Sequence, residues 1–277
     1  IYPTTIANTT RSKITMKPII HFAHANGVPS RVYQKLFDLL SDEYDVIYTE
    51  ALGTDKRYPI DEGWRGMTQQ VIDSIVRQAA GRPVIGLGHS LGALLTLQAA
   101  YARPELFNQV ILLDPPLLVG KAAFALDLAK RLQPKKIDQL SPAGLSKKRR
   151  DHWDSREQAA ASLRPKGFYK DFDEDCFQAY IQHALSDDPV RGGVTLSIPK
   201  MDEVNIFRTN PSSYWQPTPQ PSVATHLVVG ENSIFNEKGF PQLIQRKLGI
   251  PYSVFKGGHM FPLEHPVEVV DFIKRLI

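Results

Sequence analysis

The chain has 277 residues, 42% hydrophobic and 22% charged, with a net charge of +4 and a pI near 9.0. That length and balance suit one large globular domain or a domain carrying an insertion, and they exclude a disordered or low-complexity chain. The basic excess is small and interleaved with acids, so it makes no case for a nucleic-acid partner. The one basic run, Lys147-Lys148-Arg149-Arg150, reads as a solvated helix start.

A lone Cys176 excludes an internal disulfide and fits a reducing compartment. No stretch approaches the roughly 18 apolar residues of a membrane-spanning helix, so no membrane partner is expected. Residues 1–15 are polar and Thr-rich, start at Ile1 and lack the pattern of a signal peptide. They read as an extension outside the fold, and a cytoplasmic location is expected. The oligomeric state is left open.

Strand and helix patterns alternate from Met16 onward. Pro18–Ala23 is a buried strand, followed by the turn-forming His24-Ala25-Asn26-Gly27 and a helix to about Leu40. Tyr44–Thr49 is a second strand. Asp61-Glu62 opens a helix to about Ala80, with Val71, Ile72, Ile75 and Val76 as its apolar stripe. Val84–Leu87 is a third strand, short and apolar, and Gln109–Asp114 a fourth, stopped by Pro115-Pro116. The alternation then lapses from Leu117 to Pro221, where mostly helical pattern is broken by Pro and Gly. It resumes with strands at Ala224–Gly230 and Tyr252–Phe255, a helix at Phe240–Leu248 and a last helix from Val267. The pattern predicts an α/β fold, a mostly parallel sheet with helices on both faces. Its domains are a core of residues 16–116 and 222–277 and an inserted helical cap of residues 117–221. Ligand sites in such sheets lie at the carboxyl ends of the strands.

One of those ends carries Gly88-His89-Ser90-Leu91-Gly92, a G-x-S-x-G pattern between the third strand and an alanine- and leucine-rich helix. A serine nucleophile must stand on a very tight turn, and flanking glycines remove the side chains that would clash there. The helix that follows points free N–H groups at the same place, which favours developing negative charge.

The order of these motifs resembles the α/β-hydrolase superfamily, and in particular bacterial esterase-like serine hydrolases with a helical cap. The resemblance rests on His24-Ala25-Asn26-Gly27, the Ser90 pentapeptide, the long insertion and Gly257-Gly258-His259 near the end. It implies Ser90 as nucleophile and His259 as general base. The implied oxyanion hole is the Leu91 N–H with that of Asn26, or of Ala25. The position that usually holds the acid is Ser233, which has no charge to offer an imidazolium. Asp114, at the end of the fourth strand, is the first candidate for the acid and Glu231 the alternative. His24 and His89 are expected as structural hydrogen-bonders, and Glu264 and His265 as capping residues of the last helix.

The resulting expectation is a serine hydrolase cleaving a carboxylic ester or related acyl substrate through an acyl-enzyme, with no cofactor and no metal. Rival expectations are a carbon–carbon bond hydrolase, a cofactor-free perhydrolase, or a non-catalytic ligand-binding member, the last suggested by Ser233. The aromatics of the insertion are expected to line an acyl pocket over Ser90, with about half forming the cap's own core.

Overall fold

A computed structural model describes residues 16–277, so the proposed extension at 1–15 lies outside the described residues. Nine strands follow in chain order: β1 Ile19–Ala23, β2 Asp45–Tyr48, β3 Val84–His89, β4 Phe107–Leu113, β5 His152–Trp153, β6 Leu185–Asp187, β7 Val194–Leu196, β8 Thr225–Gly230 and β9 Tyr252–Phe255. Six of them form one sheet in the order β2-β1-β3-β4-β8-β9. Every neighbouring pair in it is parallel. β1 and β3 are buried along their whole length, as apolar strands covered on both faces must be.

The two faces hold two apolar cores. On one, Leu36 and Leu40 of the helix Gln34–Leu40 and Val269 and Ile273 of the helix Pro266–Leu276 pack on Ile20, Phe22 and Leu87. On the other, the helices Arg65–Gln78, Leu91–Ala102 and Phe240–Leu248 cover Val84, Val110 and Leu112. The chain runs outward from β1 to β2, then returns to β3 and proceeds through β4, β8 and β9. The direction of winding therefore reverses between β1 and β3, the place where parallel sheets open a crevice at their carboxyl ends.

Some element ends differ from the sequence pattern. The second helix begins at Arg65, because Asp61 serves as a turn acceptor. Its carboxylate takes the Gly66 N–H at 3.0 Å, and Trp64 sits in the left-handed region at φ 64°. A single turn, Phe261–Glu264, precedes the last helix, which Pro266 opens.

The insertion between β4 and β8 carries helices, among them Gly120–Leu132, Arg156–Leu163, Glu174–His183 and Lys200–Arg208. It also holds a three-stranded antiparallel sheet, β5-β7-β6, that helical periodicity did not suggest. Two- and three-residue strands are too short to show alternation in a sequence.

Candidate active site

The site is built from five strand ends, those of β1, β3, β4, β8 and β9. Ser90 follows β3 directly with φ 53° and ψ −116°, a strained conformation for a residue other than glycine. The crowding there explains the flanking glycines. A Cβ on Gly88 would lie 2.4 Å from the Gly92 carbonyl oxygen, and one on Gly92 would lie 2.1 Å from the Ala23 carbonyl oxygen. The Ser90 N–H donates to Leu113 O at 2.8 Å, and the helix Leu91–Ala102 starts on the next residue. The turn thus holds the hydroxyl clear of the sheet at a helix N-terminus.

His259 comes from the loop after β9. Its Nε2 lies 2.9 Å from Ser90 Oγ, and its Nδ1 is hydrogen-bonded to Asp114 Oδ2. Asp114 follows β4, is fully buried and has a φ of 46°. Its backbone N–H still pairs with Val228 O at 2.8 Å, so β8 holds it in register. The carboxylate accepts from three donors. Oδ1 accepts the Gly230 N–H at 3.2 Å, and Oδ2 accepts the Ser233 hydroxyl at 2.6 Å besides the His259 ring. A carboxylate held this way orients His259 with Nδ1 protonated and Nε2 free to accept the Ser90 proton.

The structure therefore brings Ser90, His259 and Asp114 together and leaves the alternative acid apart. The Glu231 side chain is exposed, while Ser233, in the next position but one, is buried and donates to Asp114. The two-position difference along the turn sends the two side chains to opposite environments. Ser233 carries no charge, but it spends its hydroxyl on the residue that does.

The loop after β1 lies across the start of the Leu91 helix. The Gly92 N–H donates to His24 O at 3.0 Å. Among the described residues, neither the Leu91 N–H nor the Asn26 N–H has an acceptor. Free N–H donors at a helix start and in the loop that crosses it are of the kind an oxyanion needs. The peptide that carries the Asn26 N–H is held by its other end. Ala25 O accepts from Val28 N at 3.1 Å and from His24 Nδ1 at 2.8 Å. His24 Nε2 accepts the Leu52 N–H at 2.7 Å, which places its proton on Nδ1. Burial lowers the His24 pKa to about 4, so this single-proton form persists at neutral pH.

Sequence reasoning missed several supporting residues. Glu264, expected as a cap of the last helix, instead turns back, and its carboxylate accepts the Gly258 N–H at 2.8 Å. Glu203, in the insertion, takes the Asn26 side-chain N–H on its backbone carbonyl at 3.0 Å. Its buried carboxylate accepts from Ser146 Oγ at 2.6 Å and from Arg149 at 2.7 Å. Arg149 also donates to the Tyr169 and Tyr180 hydroxyls at 3.2 and 3.1 Å. The contacts of Glu203 join residues more than 50 positions apart, and no local pattern announces them.

The aromatics of the insertion depart from expectation. Trp153, Tyr169, Phe172, Phe177 and Tyr180 are buried in the same apolar cluster as Ile20, Phe22 and Leu87. Phe124 and Phe168 are exposed, and Phe124 packs edge-on against Trp215 at 5.3 Å. Most of these rings thus fasten the insertion to the sheet. An aromatic that does flank the site, Phe235, has its ring 5.9 Å from that of His259 and comes from the helical turn Ile234–Glu237 after β8. Among the described residues, no cluster of His, Cys, Asp and Glu could hold a metal ion, and no helix is long and apolar enough to cross a membrane.

A six-stranded parallel sheet flanked by helices, with a serine elbow after β3, defines an α/β hydrolase. The chain belongs to the alpha/beta hydrolase family, whose model matches residues 22–272. Its sequence relatives include fungal proteins. A type I acyl-CoA thioesterase, mpaH, from Penicillium brevicompactum is 24% identical over 181 residues, covering 60% of this chain and 39% of that protein. The chain thus spans about two fifths of the length of the thioesterases it matches. An abhydrolase domain-containing protein, AFT2-1, from Alternaria alternata is 23% identical over 69% of this chain and 82% of that protein. Among solved structures, E-2-(acetamidomethylene)succinate hydrolase superposes with a TM-score of 0.71 at 20% identity, covering 94% of this chain and 91% of that one. The thioesterase domain from the curacin biosynthetic pathway gives 0.69 at 19%, covering 93% and 91%.

Proposed function

We propose that this protein is a serine hydrolase acting on an acyl substrate, a carboxylic ester or thioester, with Ser90 as nucleophile, His259 as general base and Asp114 as the acid. The observation that carries the proposal is the unbroken hydrogen-bonded line from Ser90 Oγ through both His259 ring nitrogens to the buried Asp114. His259 Nε2 takes the Ser90 proton as Oγ attacks the carbonyl carbon. The charge that develops on the carbonyl oxygen meets the free N–H groups of Leu91 and Asn26. The imidazolium, stabilised by Asp114, then gives its proton to the departing alcohol or thiol. Water, deprotonated by His259, releases the acid and restores Ser90.

Thioesters enter the substrate class because the fungal relatives include acyl-CoA thioesterases. Residues 16–116 and 222–277 form the hydrolase core in this proposal, and residues 117–221 are the cap that bounds the substrate. The binding-protein rival drew on Ser233 as a lost acid. Its hydrogen bond to Asp114 removes that argument. The test is covalent labelling by a fluorophosphonate, followed by a panel of p-nitrophenyl esters and acyl thioesters of graded chain length. Labelling and turnover should both disappear in Ser90→Ala. Labelling that survives this substitution would refute the assignment.

A further inference from the structure

His89, within the serine pentapeptide, and Tyr33, in the turn Ser30–Tyr33 that follows the β1 loop, are both fully buried. Neither is part of the line from Ser90 to Asp114. His89 Nδ1 lies 2.7 Å from the Tyr33 hydroxyl, and its Nε2 lies 2.9 Å from the backbone carbonyl oxygen of His259. We propose that Tyr33 and His89 are positioning residues for the general base: the Tyr33 hydroxyl fixes the His89 tautomer, and the His89 ring then holds His259 by its own carbonyl. The proposal rests on reading His259 as that base.

The proton positions follow from the partners. A carbonyl oxygen only accepts, so His89 Nε2 must carry hydrogen. Burial drives the His89 pKa down to about 3, so the ring is neutral and Nδ1 is bare. The Tyr33 hydroxyl must therefore be the donor to Nδ1. Burial also pushes the Tyr33 phenol far above its usual range, so it keeps its proton, while the neighbouring Ala25 backbone N–H pulls the other way. Tyr33, His89 and the base loop thus form one polar chain. In the opposite tautomer a lone pair on Nε2 would face the lone pairs of His259 O, and the contact would fail.

The base loop needs such an anchor. It contains Gly257 at φ 104°, a conformation that glycine permits, and neither Gly257 nor Gly258 has a side chain of its own to fix the loop. Glu264 holds it at the Gly258 N–H, and Asn232 N–H donates to Gly257 O at 3.0 Å. His89 acts one residue further on, at the residue whose ring must meet Ser90. A net hydrogen bond is worth about 1 kcal/mol, or roughly fivefold in a rate that depends on it.

Tyr33→Phe leaves the ring in place and removes the lock. It should lower kcat, normalised to titrated active sites, by roughly 3- to 10-fold with KM within about twofold. His89→Leu should cost roughly 10- to 100-fold in kcat, and His89→Gln, whose amide can still donate to His259 O, should recover most of it. A role in folding alone would lower the melting temperature without changing kcat per active site. Long-range 1H–15N spectra of the His89 ring read the tautomer without any turnover. Hydrogen on Nε2 in the wild type, with a mixture in Tyr33→Phe, supports the proposal; hydrogen on Nδ1 in the wild type overturns it. Unchanged kcat in both Tyr33→Phe and His89→Leu, with a wild type that labels normally, would overturn this proposal alone. A wild type inert to the fluorophosphonate would instead overturn the hydrolase assignment, and with it the base that His89 would position.

Discussion

The strand ends around Ser90 and the first helix of the insertion stand at opposite extremes of packing. At the strand ends, Asp114, Ser233, His24 and His89 are all buried, and each has its polar atoms engaged. The helix Gly120–Leu132 buries Ala123 alone and exposes Phe124, Leu128 and Leu132. The contrast divides the labour. Groups that move protons must be held to within a fraction of an ångström, and a sheet fixed on both faces can do that. A segment that adapts to a substrate can be packed loosely, because adaptation needs low-cost local movement. The insertion is not uniform, however. Its later part, from Trp153 to Leu196, shares the sheet's own core, and Glu203 reaches the Asn26 side chain.

Five substitutions and one titration test this division. The largest effect is expected at the acid. Asp114→Asn should reduce kcat by roughly 10²- to 10⁴-fold, since it removes the charge and permits the wrong His259 tautomer, while exposed Glu231→Gln should change kcat by less than about twofold. The reverse ranking would move the acid to Glu231. Leu112→Ala, at a fully buried position of β4, should cost about 2–5 kcal/mol in urea unfolding. A loss well below 1 kcal/mol would mean that the sheet side is not the rigid partner.

Acid should weaken the sheet side first. His21, His24 and His89 have pKa values that burial lowers from 6.5 to about 3, 4 and 3. The unfolded chain therefore binds protons that the native state refuses. Stability is complete above pH 6.5 and is lost progressively as pH falls toward 4, by at most about 1.4 kcal/mol per pH unit for each ring. The melting temperature should hold from pH 8 to 7 and drop steeply below about 6. A melting temperature that stays level down to pH 4 would contradict the burial of these three rings as neutral groups.

Ser233→Ala should cost roughly 10-fold in kcat, the loss of one charge-assisted hydrogen bond to Asp114. No loss would reduce Ser233 to a helix cap, a role it also fills by accepting the Phe235 N–H at 3.3 Å. The smallest effect is expected on the loose helix, where Leu128→Ala should shift unfolding free energy by no more than about 0.5 kcal/mol. A cost of 2 kcal/mol or more would show that Leu128 is covered in solution and would erase the contrast.

What the sequence by itself determined is what short-range physics writes into it. Strand and helix alternation predicted the parallel sheet, because a buried strand is a short apolar run and a covering helix repeats its apolar face every three to four residues. The Gly88–Gly92 pentapeptide located Ser90, because a turn so crowded that a Cβ would collide with backbone restricts which residues stand beside it. Gly257-Gly258-His259 marked the proposed base for a similar reason. Tertiary structure decided everything that depends on two distant segments meeting. It brought Asp114 to His259 across 145 positions of sequence and left Glu231 exposed. It turned Ser233 from an apparent loss into a donor. It placed most aromatics of the insertion in the sheet's core, and it ran a polar chain from Tyr33 through His89 to the loop that carries His259. Each of those outcomes depends on where side chains point after packing, and composition, periodicity and spacing carry no record of that direction.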